Sequence, residues 1–388
     1  MQQSLAPRDQ FPILGSKNYL ASHSLGAMPA GTPAELQRYA ELWASQGILA
    51  WDGEWWQILG EFGARLERIL GAAPSTIVPC LNVTLGFAVI ASCLRYTPER
   101  RRIVLCDLEF TTSLPFWLSQ DVYGAEVVVL PSPDPVLMPI ELLEEAIDER
   151  TSLVVTSHAY FRSGALQDVE RLQRRAREMG ALLVVDAYQA AGCVPIDVTS
   201  GGFDFFVGGC HKWLCGGPGG GFLYVRPELI QQLEPALIGW FSLANPFAYE
   251  KTRAPELNKG ILRFLNGTPN VLALFAARQG LEWVEKLGLP AIRSHSQQLT
   301  SWLYEQLEQR GLTVKSPRSS QQRNGMVCVD FPGARECQKA LEERAVIVDY
   351  RPDCGIRISP HFYNQLSDLE AFLMVLDEVR ALRRPQSG

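Results

Sequence analysis

The 388-residue sequence, with 47% hydrophobic and 20% charged side chains, describes an ordinary globular protein long enough for about two domains. A formal net charge of −6, with no basic run beyond Arg100-Arg101-Arg102, gives no support for a nucleic-acid surface, and no apolar run approaches the length of a membrane span. The opening MQQSLAPRDQFPILG lacks a basic start ahead of a long apolar core, so no export signal is expected. Nine cysteines stand singly without a CxxC pair, which argues against a zinc site or disulfide framework and for a reducing cytoplasm.

Taken in chain order, residues 1–30 read as an N-terminal segment that packs on a small domain or a partner subunit. Asn82-Val83-Thr84 then precede a helical run, an N-cap signal that leaves backbone N–H groups free at a helix start. Arg102 to Cys106, Glu126 to Leu130, Ser152 to Thr156 and Ala181 to Val185 are short apolar runs of strand character. Between them lie segments of helical period, Ile140 to Ile147 and Asp168 to Glu178, the latter closed by Gly180. Such alternation predicts an α/β large domain, with a mainly parallel mixed sheet flanked by helices, over residues 31–255.

The most informative stretch runs from Phe203 to Val225. An apolar strand leads into Cys210-His211-Lys212, a glycine-rich turn follows from Gly216 to Gly221, and a second apolar strand closes the unit. A lysine held between hydrophobic strands is disfavoured in its charged form and becomes an amine nucleophile able to form a Schiff base, although a lysine at a loop edge is more often simply solvated. Asp186 ends the strand Ala181 to Val185, one strand–helix–strand unit before Lys212. Sheets of this kind place ligands just beyond such strand ends. Taken alone, a strand-terminal Asp is more often a cap or turn residue; with the lysine it meets the needs of pyridoxal phosphate, which takes a lysine on its aldehyde and a carboxylate opposite its pyridine nitrogen.

Beyond Pro255 the pattern changes. Helical runs Asn270 to Leu287 and Ala291 to Arg310 are followed by strand-like Gly325 to Phe331 and Ala345 to Tyr350 around a helix Ala334 to Glu343, then a last helix Leu366 to Leu382. This predicts a smaller α+β C-terminal domain over residues 256–388.

These motifs resemble the fold type I, class V aminotransferase superfamily, and within it most nearly the kynureninases. The likeness rests on Tyr19 to Gly26, Ser157 to Gly164, Asp186 to Gly192, Gly217-Pro218-Gly219 and Pro246-Phe247 after Gly239-Trp240-Phe241. It implies pyridoxal 5'-phosphate as cofactor, Lys212 as the Schiff-base lysine and Asp186 as the pyridine partner. Phe110 is then the aromatic that stacks on the ring. Asn82, Val83 and Thr84 form the phosphate-binding turn, where helix-start N–H groups suit a dianion. Thr268 is the residue that reaches the phosphate of a second subunit, which implies a homodimer with shared active sites. Arg357 is the superfamily's arginine for the substrate α-carboxylate, held by two parallel hydrogen bonds. Ser24 and Trp240 fall on the substrate side, with Trp51, Trp55 and Trp56 as further candidate pocket walls, although these four tryptophans suit packing as well as substrate contact. Gln189 stands where a cofactor-contacting histidine is expected.

The same likeness implies a hydrolase or lyase that cleaves beside Cβ of an α-amino acid. His211 replaces the family's tyrosine before the lysine, which contacts the cofactor phosphate; it is thus a candidate cofactor contact and a second candidate catalytic residue, since a free imidazole titrates near neutral pH. Ser113 stands where kynureninases carry an aspartate. His211-Lys212-Trp213-Leu214-Cys215 and Arg357 to Asn364 are similar to isopenicillin N epimerases and cysteine desulfurases. An aminotransferase, an epimerase or a desulfurase-like lyase is therefore the alternative, with Cys354 the loop cysteine to consider. A non-catalytic PLP-binding protein is the alternative of another class, against which the intact lysine–aspartate–arginine set argues.

Overall fold

The computed structural model describes residues 3–249, 251 and 253–383; the last five residues of the expected C-terminal domain lie outside them. Seven strands stand in the order Ile77–Cys80, Gly221–Val225, Phe205–Gly209, Leu182–Asp186, Thr151–Ser157, Arg102–Cys106 and Glu126–Leu130. Alternation along each strand sends Ile103, Leu153, Val184 and Val207 into one apolar core and Val104, Val154, Leu183 and Phe206 into another. Helices cover both faces, which is why these strands read as unbroken apolar runs.

Strand Gly221–Val225 is antiparallel to both of its neighbours. It follows Phe205–Gly209 through the glycine-rich turn, and so short a connection can only return the chain antiparallel. The remaining pairs are parallel, with Ser157 opposite Asp186 and Asp186 opposite Val207. The carboxyl ends of the strands therefore line up along one edge, and the segments leaving that edge carry the polar residues singled out above.

The second sheet has four antiparallel strands, Asp349–Arg351, Gly355–Ile358, Val327–Asp330 and Thr313–Val314. Val327, Val329, Ile356 and Ile358 face Leu299, Leu303, Leu341 and Phe372 from helices Leu289–Gln309, Ala334–Glu343 and Leu366–Arg383. The single strand read over Ala345 to Tyr350 is divided. Val346–Ile347 pairs in parallel with Asn18–Tyr19, while Asp349–Arg351 pairs with Gly355–Ile358. An apolar run of that length carries no mark of where the chain leaves one sheet for another.

Two helices that no periodicity argument identified, Thr32–Gln46 and Glu54–Leu70, pack against Val271–Leu287. Arg278 fastens this group, reaching Glu35 at 2.8 Å and Glu61 at 3.1 Å. The N-terminal segment lies on the small sheet domain, with Leu5 N–H donating to Phe362 O at 2.8 Å and Arg8 paired with Asp368 at 2.7 Å. It then crosses to the lysine loop, where Gly26 N–H donates to His211 O at 2.7 Å.

The turn Pro352–Cys354 closes the hairpin that carries Arg357. Asp353 and Gly355 adopt φ of 64° and 83°, and a Cβ on Gly355 would sit 2.2 Å from Val329 O. Gly355→Ala should cost roughly 1–3 kcal/mol, read as a lower urea midpoint with an unchanged slope.

Candidate active site

Five strand ends supply the site. The chain beyond Cys106 carries Glu109 and Phe110, Ser157 and Asp186 end their strands, and the segment after Gly209 carries His211 and Lys212. Beyond Cys80, Asn82 caps the helix Val83–Cys93 by accepting from Leu85 N–H at 3.1 Å. A cavity of about 220 Å³ lies between these groups, lined among others by Asn82, Thr84, Phe110, Asp186, Tyr188 and Lys212.

The amine of Lys212 sits among aromatic faces, with Nζ 5.4 Å from the centre of the Phe110 ring and 5.1 Å from that of Tyr188. Burial lowers the amine to about 8, with Asp186 pulling the other way. Burial raises Asp186 to about 6, opposed by the Tyr188 N–H on Oδ1 at 2.9 Å and by Lys212. At neutral pH the carboxyl is mostly ionised, and a usable fraction of the amine is neutral.

Tyr188 is the site residue that sequence reading missed, although it lies two positions from Asp186. A Cβ on Gly209 would meet its ring at 2.1 Å, so only glycine there leaves room for the phenol. Glu109, immediately before Phe110, was also missed. Ser157 Oγ donates to it at 2.6 Å; burial lifts it to about 8, with the Ser157 bond opposing and Asp186 adding to the rise. Thr112 joins Thr84 at the helix start through their hydroxyls, 3.1 Å apart.

The other expected residues divide. Phe110, Asn82, Val83, Thr84, Gln189 and His211 border the same cavity as Lys212 and Asp186. The Gln189 amide is committed to the fold, donating to His23 O at 3.0 Å and accepting from Trp213 Nε1 at 3.0 Å. His211 is kept neutral, since burial and then Lys212 lower it to about 4; the near-neutral titration expected of a free imidazole does not apply inside this site. Arg357 and Ser24 stand together at the small-domain side, where Arg357 Nη2 donates to Ser24 Oγ at 3.2 Å.

Thr268 and Trp240 are elsewhere. Trp240 Nε1 donates to Thr268 Oγ1 at 3.2 Å, and Thr268 borders a separate cavity with Pro79, Leu81 and Asn270. Trp51, Trp55, Trp56 and Trp240 belong to an aromatic cluster with Phe241 and Phe247, in which Trp56 stacks on Phe241 with ring centres 5.6 Å apart. None of them borders the Lys212 cavity of its own chain. Among the described residues no group of three or more His, Cys, Asp or Glu side chains could hold a metal.

A strand-end lysine, a buried carboxylate and an aromatic wall over an open doubly wound sheet define a class of cofactor enzyme. The chain belongs to the class V aminotransferase family, which matches residues 32–372. It is 33% identical to a kynureninase of Pseudomonas fluorescens over 97% of this chain and 93% of that one. It is 31% identical to the uncharacterized aminotransferase YcbU of Bacillus subtilis (strain 168), over 96% of each. In fold it is similar to the cysteine desulfurase CsdA of Escherichia coli, with TM-score 0.84 and 24% identity over 97% of this chain and 98% of that one. A C-DES mutant with glycine covalently linked to its PLP cofactor aligns with TM-score 0.86 and 20% identity, over 96% of this chain and 99% of that one.

Pyridoxal 5'-phosphate is thus the cofactor, and the residues present fit it. The cavity offers a primary amine for its aldehyde, a buried carboxylate for its ring nitrogen, two aromatic faces, and a helix start with two hydroxyls for its phosphate. Lys212→Ala should leave no borohydride-reducible bond to the protein, read by mass spectrometry. In the unsubstituted apo-protein only the neutral amine attacks. The rate of cofactor capture should therefore climb about tenfold per pH unit below pH ~8 and flatten above it, whereas an unperturbed lysine would keep climbing past pH ~10.

Proposed function

We propose that the protein is a kynureninase-like hydrolase or lyase that cleaves an α-amino acid beside Cβ. What supports this reading is the likeness to a kynureninase along 97% of the chain, joined to a Lys212 amine that lies 5.4 Å from the Phe110 ring centre and 5.1 Å from that of Tyr188, within reach of the Asp186 charge. Bound there, pyridoxal phosphate supplies an electron sink for the pair left when a substrate bond breaks.

The chain's own groups supply the remainder. Lys212 would hold the cofactor through its aldehyde and, once free, would act as base at the substrate Cα, a role for which an amine titrating near neutral pH is suited. Asp186 keeps a negative charge opposite the ring nitrogen and so favours its protonated form. Phe110 and Tyr188 would offer their aromatic faces to the cofactor ring. Thr84, Thr112 and the N–H groups at the start of helix Val83–Cys93 hold the phosphate. Arg357 and Ser24 face the substrate carboxylate. His211, neutral and a weak base in this setting, orders a water in the cavity it shares with Lys212. With an aryl-ketone amino acid, addition of water to the side-chain carbonyl and breakage of the Cβ–Cγ bond would release the aryl carboxylic acid, and protonation of Cβ and Cα would leave alanine.

A desulfurase reading needs a mobile, reactive thiol. Cys354 is 1% exposed and its Sγ donates to Arg162 O at 2.7 Å, so it is fixed as part of the fold. An aminotransferase remains the second reading, favoured by His211 in place of the tyrosine and by the likeness to YcbU. We further propose a cytoplasmic homodimer in which Thr268 and Trp240, turned away from their own cavity, complete the partner's site.

Incubating the holoenzyme with kynurenine and with 3-hydroxykynurenine should give alanine and the matching anthranilate in equal amounts. Keto acid formed only when an amino acceptor is present, without alanine, would replace the hydrolase with the aminotransferase.

A further inference from the structure

Arg357, assigned above to the substrate carboxylate, already holds one. Its Nε donates to Asp349 Oδ1 at 2.8 Å and its Nη2 to Asp349 Oδ2 at 2.6 Å, a two-bond pair along one edge of the guanidinium. On the other edge, Nη1 donates to Phe161 O at 2.8 Å and Nη2 to Ser24 Oγ at 3.2 Å. A guanidinium grips a carboxylate by presenting two adjacent donors, and both edges here end on oxygens of the protein.

The pair is built in depth. Arg357 is 3% exposed, and His23 Nε2 lies 2.9 Å from Asp349 Oδ1 while its Nδ1 lies 2.6 Å from Ser359 Oγ. Ser24 Oγ donates to Asp349 Oδ2 at 2.5 Å. Asp349 nevertheless has a second cation within reach on the solvent side. Arg351 Nη2 lies 3.1 Å from its Oδ2, and the Arg351 side chain is 47% exposed. The carboxylate can therefore exchange one arginine for another while keeping His23, without passing through an unpaired buried state, which would be the costly step.

We propose that Asp349 is an acidic gate on Arg357. With the gate closed the charge of Arg357 is matched by Asp349, and the site accepts an amine that carries no α-carboxylate. An α-amino acid engages Arg357 only when Asp349 turns to Arg351 and its own carboxylate takes the vacated edge. The inference rests on the cofactor-enzyme reading above, in which Arg357 is the carboxylate anchor, and it adds that the anchor is conditional.

The test uses holoenzyme and a matched pair of ligands, L-alanine and ethylamine, which differ by the carboxylate alone; affinities are read from the shift of the cofactor absorbance band. Asp349→Asn should tighten L-alanine about tenfold relative to ethylamine, whose own change reports whatever the lost charge does at Lys212. Arg351→Gln, at an exposed position that does not threaten folding, removes the landing partner and should weaken L-alanine several-fold without affecting ethylamine. L-alanine binding unchanged or weaker relative to ethylamine in Asp349→Asn, or unchanged in Arg351→Gln, would overturn the gate while ethylamine still shifts the band. Failure of both ligands to shift the band in the unsubstituted protein would overturn the cofactor-enzyme reading and the gate with it.

Discussion

The site depends on keeping a lysine and an aspartate close enough to feel each other's charge while leaving room for a ring between them. A direct ion pair would hold the lysine protonated and useless as a nucleophile. Instead, Lys212 and Asp186 leave adjacent strand ends whose register is fixed by pairing, and aromatic side chains fill the space around them. Low dielectric then acts on both groups in the direction of neutrality, lowering the amine and raising the acid. Glycine at position 209 belongs to the same constraint, because any side chain there would expel Tyr188 from the wall.

The cluster around Arg357 is assembled by longer-range contacts. His23 and Ser24 come from the N-terminal segment, Asp349 and Arg357 from the hairpin of the small sheet, and Phe161 O from the loop after Thr151–Ser157. The N-terminal segment also hydrogen-bonds to the backbone of His211, so the Arg357 cluster and the lysine loop share one strap of chain. A change at Arg357 can thus be felt at the amine, and both Arg357 and Asp349 already act on the charge of Lys212.

Much of the cofactor side was legible because it is local. Apolar runs ending in a polar residue marked Asp186 and Lys212, and the strands Arg102–Cys106 and Glu126–Leu130 form where the pattern placed them. What could not be read depends on partners distant in sequence. Nothing around Asp349 indicates that it will fill Arg357, and nothing around Glu109 indicates that it will be buried against Ser157 beside Asp186. The same holds for His211, whose neutrality is a product of enclosure. The tryptophans were ambiguous from the start, since an aromatic side chain suits a pocket wall and a packing cluster equally well; the fold gathers them into a cluster.

The central claim is that Asp186 anchors the cofactor through its charge. The most direct measurement is the affinity of the apo-protein for pyridoxal phosphate in Asp186→Asn compared with the unsubstituted chain, by equilibrium dialysis at neutral pH. Asparagine keeps the shape and removes the charge, so the account predicts binding roughly a hundredfold weaker or more, the cost of breaking a buried pair. Equal affinity in the two proteins would contradict it.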